Sequence, residues 1–420
     1  MKTMRLAAVL ACTTVPVLAA LPVGRGELSF GATAMATYDT NINGTHDGTE
    51  DYYGTLTPRA RYERKAGQIE VDASLALAIL RFADQTRFNA DNLAADLTFR
   101  LREDPTQKLS GAVTAGYHET SEVNPDLNER IRAKTTTFSG LGTLVTGPRT
   151  RFGLDASSTD VTRSTASDQK LMHGELRFDY EGFLDDTSLR LAYDRDSTST
   201  SGGNFRGVDL DQTANQLMLS LARPLYRDVL GRFGVGYRVL DRSAAETGTG
   251  QTRLSGTVVM ASIEGPFLPP RYFPKIKSRL AVSYENAAAP GVNDTGTKNL
   301  AGNLSLVWQA RETTVISLLA ERSQRLTADD LTVVSTTARL RLEQNLRYNL
   351  TGSLSAGYDW ETFRGVGRSD RRKSGEAGLS YHFARTWDAS AVGRVESTSS
   401  TQVRSAFNRQ LVSLTLGHQF

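Results

Sequence analysis

The stretch NLTGSLSAGYDW, residues 349–360, places Leu350, Leu354, Tyr358 and Trp360 at even positions, with Thr351, Ser353, Ser355 and Asp359 between them. A two-residue period belongs to a strand with one apolar face, because successive side chains leave opposite sides of an extended backbone. The same period returns in GRFGVGYRV, where Phe233, Val235, Tyr237 and Val239 alternate with Gly234, Gly236 and Arg238. It returns again in Leu189, Leu191 and Tyr193, in Leu304, Leu306 and Trp308, and in Ala377, Leu379, Tyr381 and Phe383. No amphipathic helix of ten or more residues stands out beyond the N-terminus.

Twenty such stretches can be placed between residues 27 and 420. Very short connections near Ala66 and Gly67, Asp104 and Pro105, Gly147 and Pro148, Arg311, and Arg385 and Thr386 interleave with longer polar ones. Short turns at one end, longer loops at the other and an even strand count are the pattern of an outer-membrane barrel with periplasmic turns. The expected fold is therefore all-β: a single transmembrane antiparallel up-and-down β-barrel of about 20 strands, with 18 as the alternative. A soluble sandwich or propeller needs packed sheets or a blade-length repeat, and neither is visible.

Composition agrees once the period is known. The chain has 420 residues, 39% hydrophobic and 23% charged, with 36 Gly, 12 Pro and one Cys. That average looks soluble, and the length suggests two or three domains. In a barrel only every second residue meets lipid, so one closed sheet over 21–420 carries the same average. After the N-terminus no apolar run approaches the roughly 18 residues of a membrane helix, which excludes a polytopic helical transporter. Lys and Arg number 49 against 46 Asp and Glu and are scattered singly, so nucleic acid is not an expected partner.

The first residues, MKTMRLAAVLACTTVPVLAALPVGRGELSF, carry Lys2 and Arg5 before an uncharged, mostly apolar run from Leu6 to Ala20. This reads as a signal peptide over 1–20, with Val17 and Ala19 suiting cleavage after Ala19 and a cut after Ala20 nearly as good. Cys12 follows Val9, Leu10 and Ala11, a partial lipoprotein box whose preceding apolar run is short. If Cys12 leaves with the signal, no disulfide stabilises the exported chain.

A barrel in lipid should carry amphipathic rings where its strands leave the bilayer. Tyr38, Tyr117, Tyr193, Tyr237, Tyr284 and Tyr358 each sit near the end of an outward-running stretch and are followed at once by Asp, His, Asp, Arg, Glu and Asp. Tyr62, Tyr180, Trp308, Phe383 and Phe420 fall near the opposite rim. In the last stretch Val412, Leu414, Leu416, His418 and Phe420 share a face. This resembles the C-terminal signal read by the barrel-assembly machinery, with His418 standing where an apolar or aromatic residue is usual.

Catalytic signatures are not found: there is no G-x-S-x-G, G-x-G-x-x-G, P-loop or H-E-x-x-H. His46, His118, His173, His382 and His418 show no metal-ligand spacing. His118 or His382 could serve as a base in a barrel hydrolase, but polar residues lining a wet lumen explain both more simply, so no enzyme activity and no cofactor are expected. DTNINGTHDGTE, residues 39–50, fits a calcium-loop pattern with Asp39, Asn41, Asn43 and Glu50 as oxygen ligands and Gly44 at the turn. An acidic, Asn- and Gly-rich surface loop calls for the same residue types.

Tyr38, Asp39, Asn41 and Ile42, followed by Asp51, Tyr52, Leu56, Thr57 and Pro58, resemble the start of the outer-membrane family called putative β-barrel porin 2. Together with the full-length strand pattern, the resemblance extends over nearly all of the chain after the signal. It implies an outer-membrane barrel associated with exopolysaccharide production and export, with periplasmic polysaccharide-export components as partners, and brings no catalytic residues. The first expectation is thus an export conduit; a passive porin for small hydrophilic solutes and a structural or adhesive barrel are the alternatives.

Strands about 4.8 Å apart and tilted by roughly 40° give twenty strands a diameter of about 40 Å. The first strand begins soon after the signal, so no plug domain is expected, and no loop looks long enough to fold inward as a constriction. Selectivity then falls to Arg177, Asp179, Arg190, Asp194, Arg339 and Arg341. In GPFLPPRYFPKIK, residues 265–277, Pro266, Pro269, Pro270 and Pro274 favour an extended segment. Its Phe267, Tyr272 and Phe273 suit either a periplasmic partner or the membrane interface, the latter preferred.

Overall fold

The computed structural model describes residues 21–102, 108–124, 129–201, 210–244, 252–269, 271–273, 275–288, 297–326, 332–363, 367–402 and 405–419. The signal segment 1–20 and Phe420 lie outside them. Strands in chain order are β1 Leu21–Val23, β2 Gly26–Asp39, β3 Asp51–Arg64, β4 Ile69–Phe82, β5 Ala90–Leu101, β6 Leu109–Asn124 and β7 Glu129–Gly147. There follow β8 Thr150–Arg163, β9 Asp168–Leu184, β10 Thr187–Ser201, β11 Leu210–Tyr226, β12 Val229–Ala244, β13 Thr252–Glu264 and β14 Ile276–Ala288. The last are β15 Thr297–Arg311, β16 Thr314–Leu326, β17 Thr332–Arg347, β18 Leu350–Phe363, β19 Arg368–Ala384, β20 Trp387–Ser400 and β21 Phe407–Gln419. One short 3₁₀ turn spans Thr86–Phe88.

From β2 onward each strand pairs antiparallel with the next, and β21 returns to β2 in register from Gly31↔Gln419 to Asp39↔Leu411. The sheet is closed and leaves no edge to pair with another chain. The wall holds twenty strands, not the alternative eighteen. The short β1 was not expected; it doubles back on β2, pairing Leu21↔Leu28 and Val23↔Gly26. A fourteen-residue strand such as β18, tilted by roughly 40°, stands about 36 Å tall, more than the apolar band of about 25 Å that such barrels present to lipid. The surplus forms the rims.

The alternation of residues 349–360 becomes the two faces of the wall. Leu354, Tyr358 and Trp360 stand exposed on the outside, while Ser353, Ser355 and Asp359 turn into the lumen. Around the ring the outer face carries Leu75, Phe138, Leu154, Leu176, Leu217, Phe233, Leu300, Leu340 and Leu414, all exposed. The apolar residues that normally fill a core are therefore outside, and the few buried apolar groups lie elsewhere.

Connections sort by rim. Two-residue turns at 148–149, 185–186, 227–228, 312–313, 348–349 and 385–386 share one end with the start of β2 and the end of β21; residues 40–50, 83–89 and 401–406 connect strands at the other. The long exception on the short-turn rim is 265–275. It leaves β13 through Gly265, whose φ of 121° and position 2.2 Å, at a would-be Cβ, from the Asp228 carbonyl oxygen admit no side chain.

The lumen and its mouth as candidate functional site

Inward parity places all six expected charges on the lumen wall. They do not form a free track. Arg190 donates to Asp179 at 2.5 Å, and Arg177 lies 3.0 Å from Asp179 and 3.3 Å from Glu175. Arg341 meets Glu343 at 2.6 Å and Arg339 approaches Asp359 at 3.9 Å. Such partly hydrated pairs contribute about 0–1 kcal/mol each, so their consequence is a wall of local dipoles on which neither sign dominates. His118 is spent in the same way, its Nε2 2.9 Å from the Asp96 carboxylate.

The mouth differs from expectation. Residues 40–45 fold inward rather than standing off as a surface loop, while His46, Asp47, Gly48 and Glu50 stay exposed. Ile42 is fully buried against Leu80, Phe82 and Ala90, inward-facing residues at the top of β4 and β5, with Tyr53 and Phe88 beside them. The β6–β7 hairpin continues past the last β5 rung, Ala94↔His118, to Asn124↔Glu129, and closes over the loop. From it Arg130 donates to the carbonyl oxygens of Ile42 (3.0 Å) and Ser121 (2.6 Å), with its guanidinium 5.2 Å from the Phe82 ring centre. Gly44, at φ 70°, passes so close to Val123 that a Cβ would lie 2.2 Å from its methyl. A loop of modest length can fold over this side of the mouth because one apolar side chain finds an apolar patch on the lumen wall.

The four calcium-loop candidates are not brought to one point. The Asp39 carboxylate, wholly buried, accepts from Arg409 Nε and Nη2 at 3.0 and 2.6 Å and from the Asn41 backbone N–H at 2.9 Å. Asn41 Oδ1 accepts from Gly44 N–H at 2.9 Å, while its amide donates to the carbonyls of Thr45 and Asn408. Asn43 donates to Thr49 Oγ1, and Glu50 accepts the Tyr38 hydroxyl at 2.7 Å. These side chains build and anchor the loop, with Asp39 and Arg409 joining the first and last long strands at the closing seam.

Below the loop is a cavity of about 520 Å³. Arg130, Arg372, Arg394 and Arg409 reach into it beside Glu122 and Glu396. Glu396 lies 3.0 Å from Arg372 and 3.4 Å from Arg394. Further round the same rim Arg368 and Asp370 form a buried pair, with the Arg368 guanidinium 4.2 Å above the Phe363 ring centre. A second lumen cavity, along β9–β16, is lined by Arg190, Arg232 and Arg238 with Glu175, Asp194 and Glu285. None of the residues around the first cavity was singled out as a lumen group from sequence. Part of the signal was present in the parity: Arg394 and Glu396 alternate with Val395.

All six expected girdle tyrosines, Tyr38, Tyr117, Tyr193, Tyr237, Tyr284 and Tyr358, lie on the outer face toward the long-loop rim. Hydroxyls of three find partners there: Tyr38 on Glu50, Tyr117 on Glu119 at 2.7 Å, and Tyr193 on Asn215 at 2.9 Å. At the short-turn rim Tyr381, Phe383, Trp387 and His418 form a ladder of rings, with Trp387 and His418 4.2 Å apart. On β21, Val412 and Leu414 are exposed outward while His418 is covered by Trp387 and bonds Thr386 at 3.1 Å. Leu416 lies between them in the same parity, and Phe420 falls beyond the described residues. In the proline-rich connection Phe273 meets Trp308 edge-on at 5.2 Å, while Tyr272 stays exposed; Pro270 and Pro274 lie outside the described residues.

No curated protein matches the sequence. Among solved structures the chain is similar to the siderophore receptor PiuA from Acinetobacter baumannii, at 8% identity and a TM-score of 0.54, covering 96% of this chain and 82% of that one. It is similar to the ferric citrate transporter FecA in the unliganded form at 10% identity and 0.53, covering 93% and 78%. Pseudomonas aeruginosa OpdK with vanillate aligns at 10% identity and 0.40, over 94% and 99%. At these identities the likeness to the first two is one of fold alone. The resemblance carried by residues 38–58 finds its counterpart at the other end of the chain: residues 286–420, from the upper end of β14 through the closing strand, match the family described as putative beta-barrel porin 2.

Proposed function

We propose that the chain is an integral outer-membrane channel, exported on residues 1–20 and inserted by the barrel-assembly machinery. Its lumen conducts hydrophilic solutes, without catalysis or a resident cofactor. One observation carries this reading: apolar side chains cover the outer face of a closed sheet while charged and hydroxylated ones line its lumen. In water an apolar surface that size would drive association; in lipid it is the solvated face.

The finer reading is a conduit associated with exopolysaccharide export, working with periplasmic export components; it rests on the family resemblance. Passage of small solutes is favoured instead by residues 40–50, which narrow the mouth and leave less room for a polymer chain. Reconstitution in planar bilayers tests both. Stepwise conductance is expected, and its absence would leave only a structural or adhesive barrel. Polyethylene glycols of graded size then measure the constriction: entry of large polymers supports the conduit, exclusion of all but small ones supports the porin. Quenching of Trp308, Trp360 and Trp387 by brominated lipid checks insertion directly, since all three have outward parity.

A further inference from the structure

We propose that the cavity beneath residues 40–50 is a binding site for a hydroxylated carboxylate, the class to which sugar acids belong; this deepens the channel reading by naming what its lumen would select. The argument begins with charge. Four guanidiniums, Arg130, Arg372, Arg394 and Arg409, converge there from β7, β19, β20 and β21. Three carboxylates stand against them: Asp39 on Arg409, Glu396 shared between Arg372 and Arg394, and Glu122. One positive charge is left over, which a single carboxylate neutralises. The second lumen cavity, with three arginines facing three carboxylates, has no such excess.

Geometry supplies the rest. Arg394 is the loosely held member: half its side chain is exposed, and its contact with Glu396, at 3.4 Å, leaves the planar fork available for a two-pronged bond to a carboxylate. Arg130 is held by backbone carbonyls and ring faces rather than by an ion pair. Thr55 and Asn92 line the same space, and their side chains make no hydrogen bond among the described residues, leaving a hydroxyl and an amide for ligand hydroxyls. Met35 and Leu411 give an apolar wall suited to the C–H face of a ring.

The test is calorimetric titration of glucuronate, glucose and inorganic phosphate into the purified full-length barrel in detergent. Glucuronate is expected to bind at least tenfold more tightly than either of the others. Arg394→Gln should weaken it about tenfold or more, the loss of one charge-assisted pair. Arg232→Gln, in the second cavity, should leave it unchanged. Equal binding of glucose or phosphate, no heat with glucuronate, or an unaltered Arg394→Gln titration would overturn the proposal. Should Arg394→Gln fail to fold by circular dichroism, the three-ligand comparison on the unaltered protein still decides. Calorimetry reads the site whether or not the barrel conducts, so absent conductance would remove the channel reading and leave the site to its own result.

Discussion

Asp39 is a carboxylate with no solvent exposure, and its burial is tolerable only because Arg409 and the Asn41 N–H saturate it. The partner lies 370 positions away, brought alongside by the closure of β21 on β2. Arg409→Leu would strand the charge, and removing one member of a buried pair costs about 3–5 kcal/mol. Guanidinium unfolding in lipid vesicles should show that loss, while Asp39→Asn combined with Arg409→Leu should recover part of it. Equal losses in the single and double variants would mean that the pair does not couple. The same residue shows why a local motif misleads. Spacing along residues 39–50 suits a calcium loop, but spacing carries no information about an arginine at the far end of the chain, and that arginine takes the first ligand position.

Strands and loop differ in legibility for a physical reason. A strand in a barrel wall is solvated differently on its two faces, so β18 writes its orientation into the residues from Leu350 to Trp360, and the parity survives without any knowledge of neighbours. Residues 40–50 meet water, a lumen wall and another hairpin at once. Their Asn, Gly, Thr and Asp content is that of any exposed turn, and Ile42 alone marks the inward fold. Burying that side chain contributes about 2 kcal/mol, a factor of about thirty in the ratio of docked to undocked loop. Ile42→Asp should therefore release the loop while the wall stays closed, raising single-channel conductance without changing the circular dichroism of the sheet. Conductance identical to that of the unaltered protein would show that the loop does not limit flow. The arginines beside it are hidden for a related reason: parity identifies them as lumen residues, but only closure of β21 on β2 brings Arg372, Arg394 and Arg409 to one cavity with Arg130.

For the whole molecule, polarity is inverted relative to a soluble domain, and the inversion predicts opposite outcomes for adjacent residues. Leu354, 57% exposed on the outer face of β18 between Leu350 and Tyr358, and Ser353, beside it but turned into the lumen, are both open to a solvent, and the membrane reading makes the two solvents differ. In lipid, Leu354→Arg places a guanidinium near the bilayer centre and should cost about 2–4 kcal/mol, read as a lower denaturant midpoint in vesicles. Ser353→Arg meets water in the lumen and should stay within about 0.5 kcal/mol of the unaltered barrel, moving ion selectivity instead. Were the outer face wet, Leu354→Arg would be the harmless one, since an exposed apolar residue on a soluble surface gains by becoming charged. Equal tolerance of both substitutions in vesicles would therefore contradict the membrane reading. A large loss at 354 with none at 353 would tie the two-residue period of residues 349–360 to the boundary between lipid and lumen.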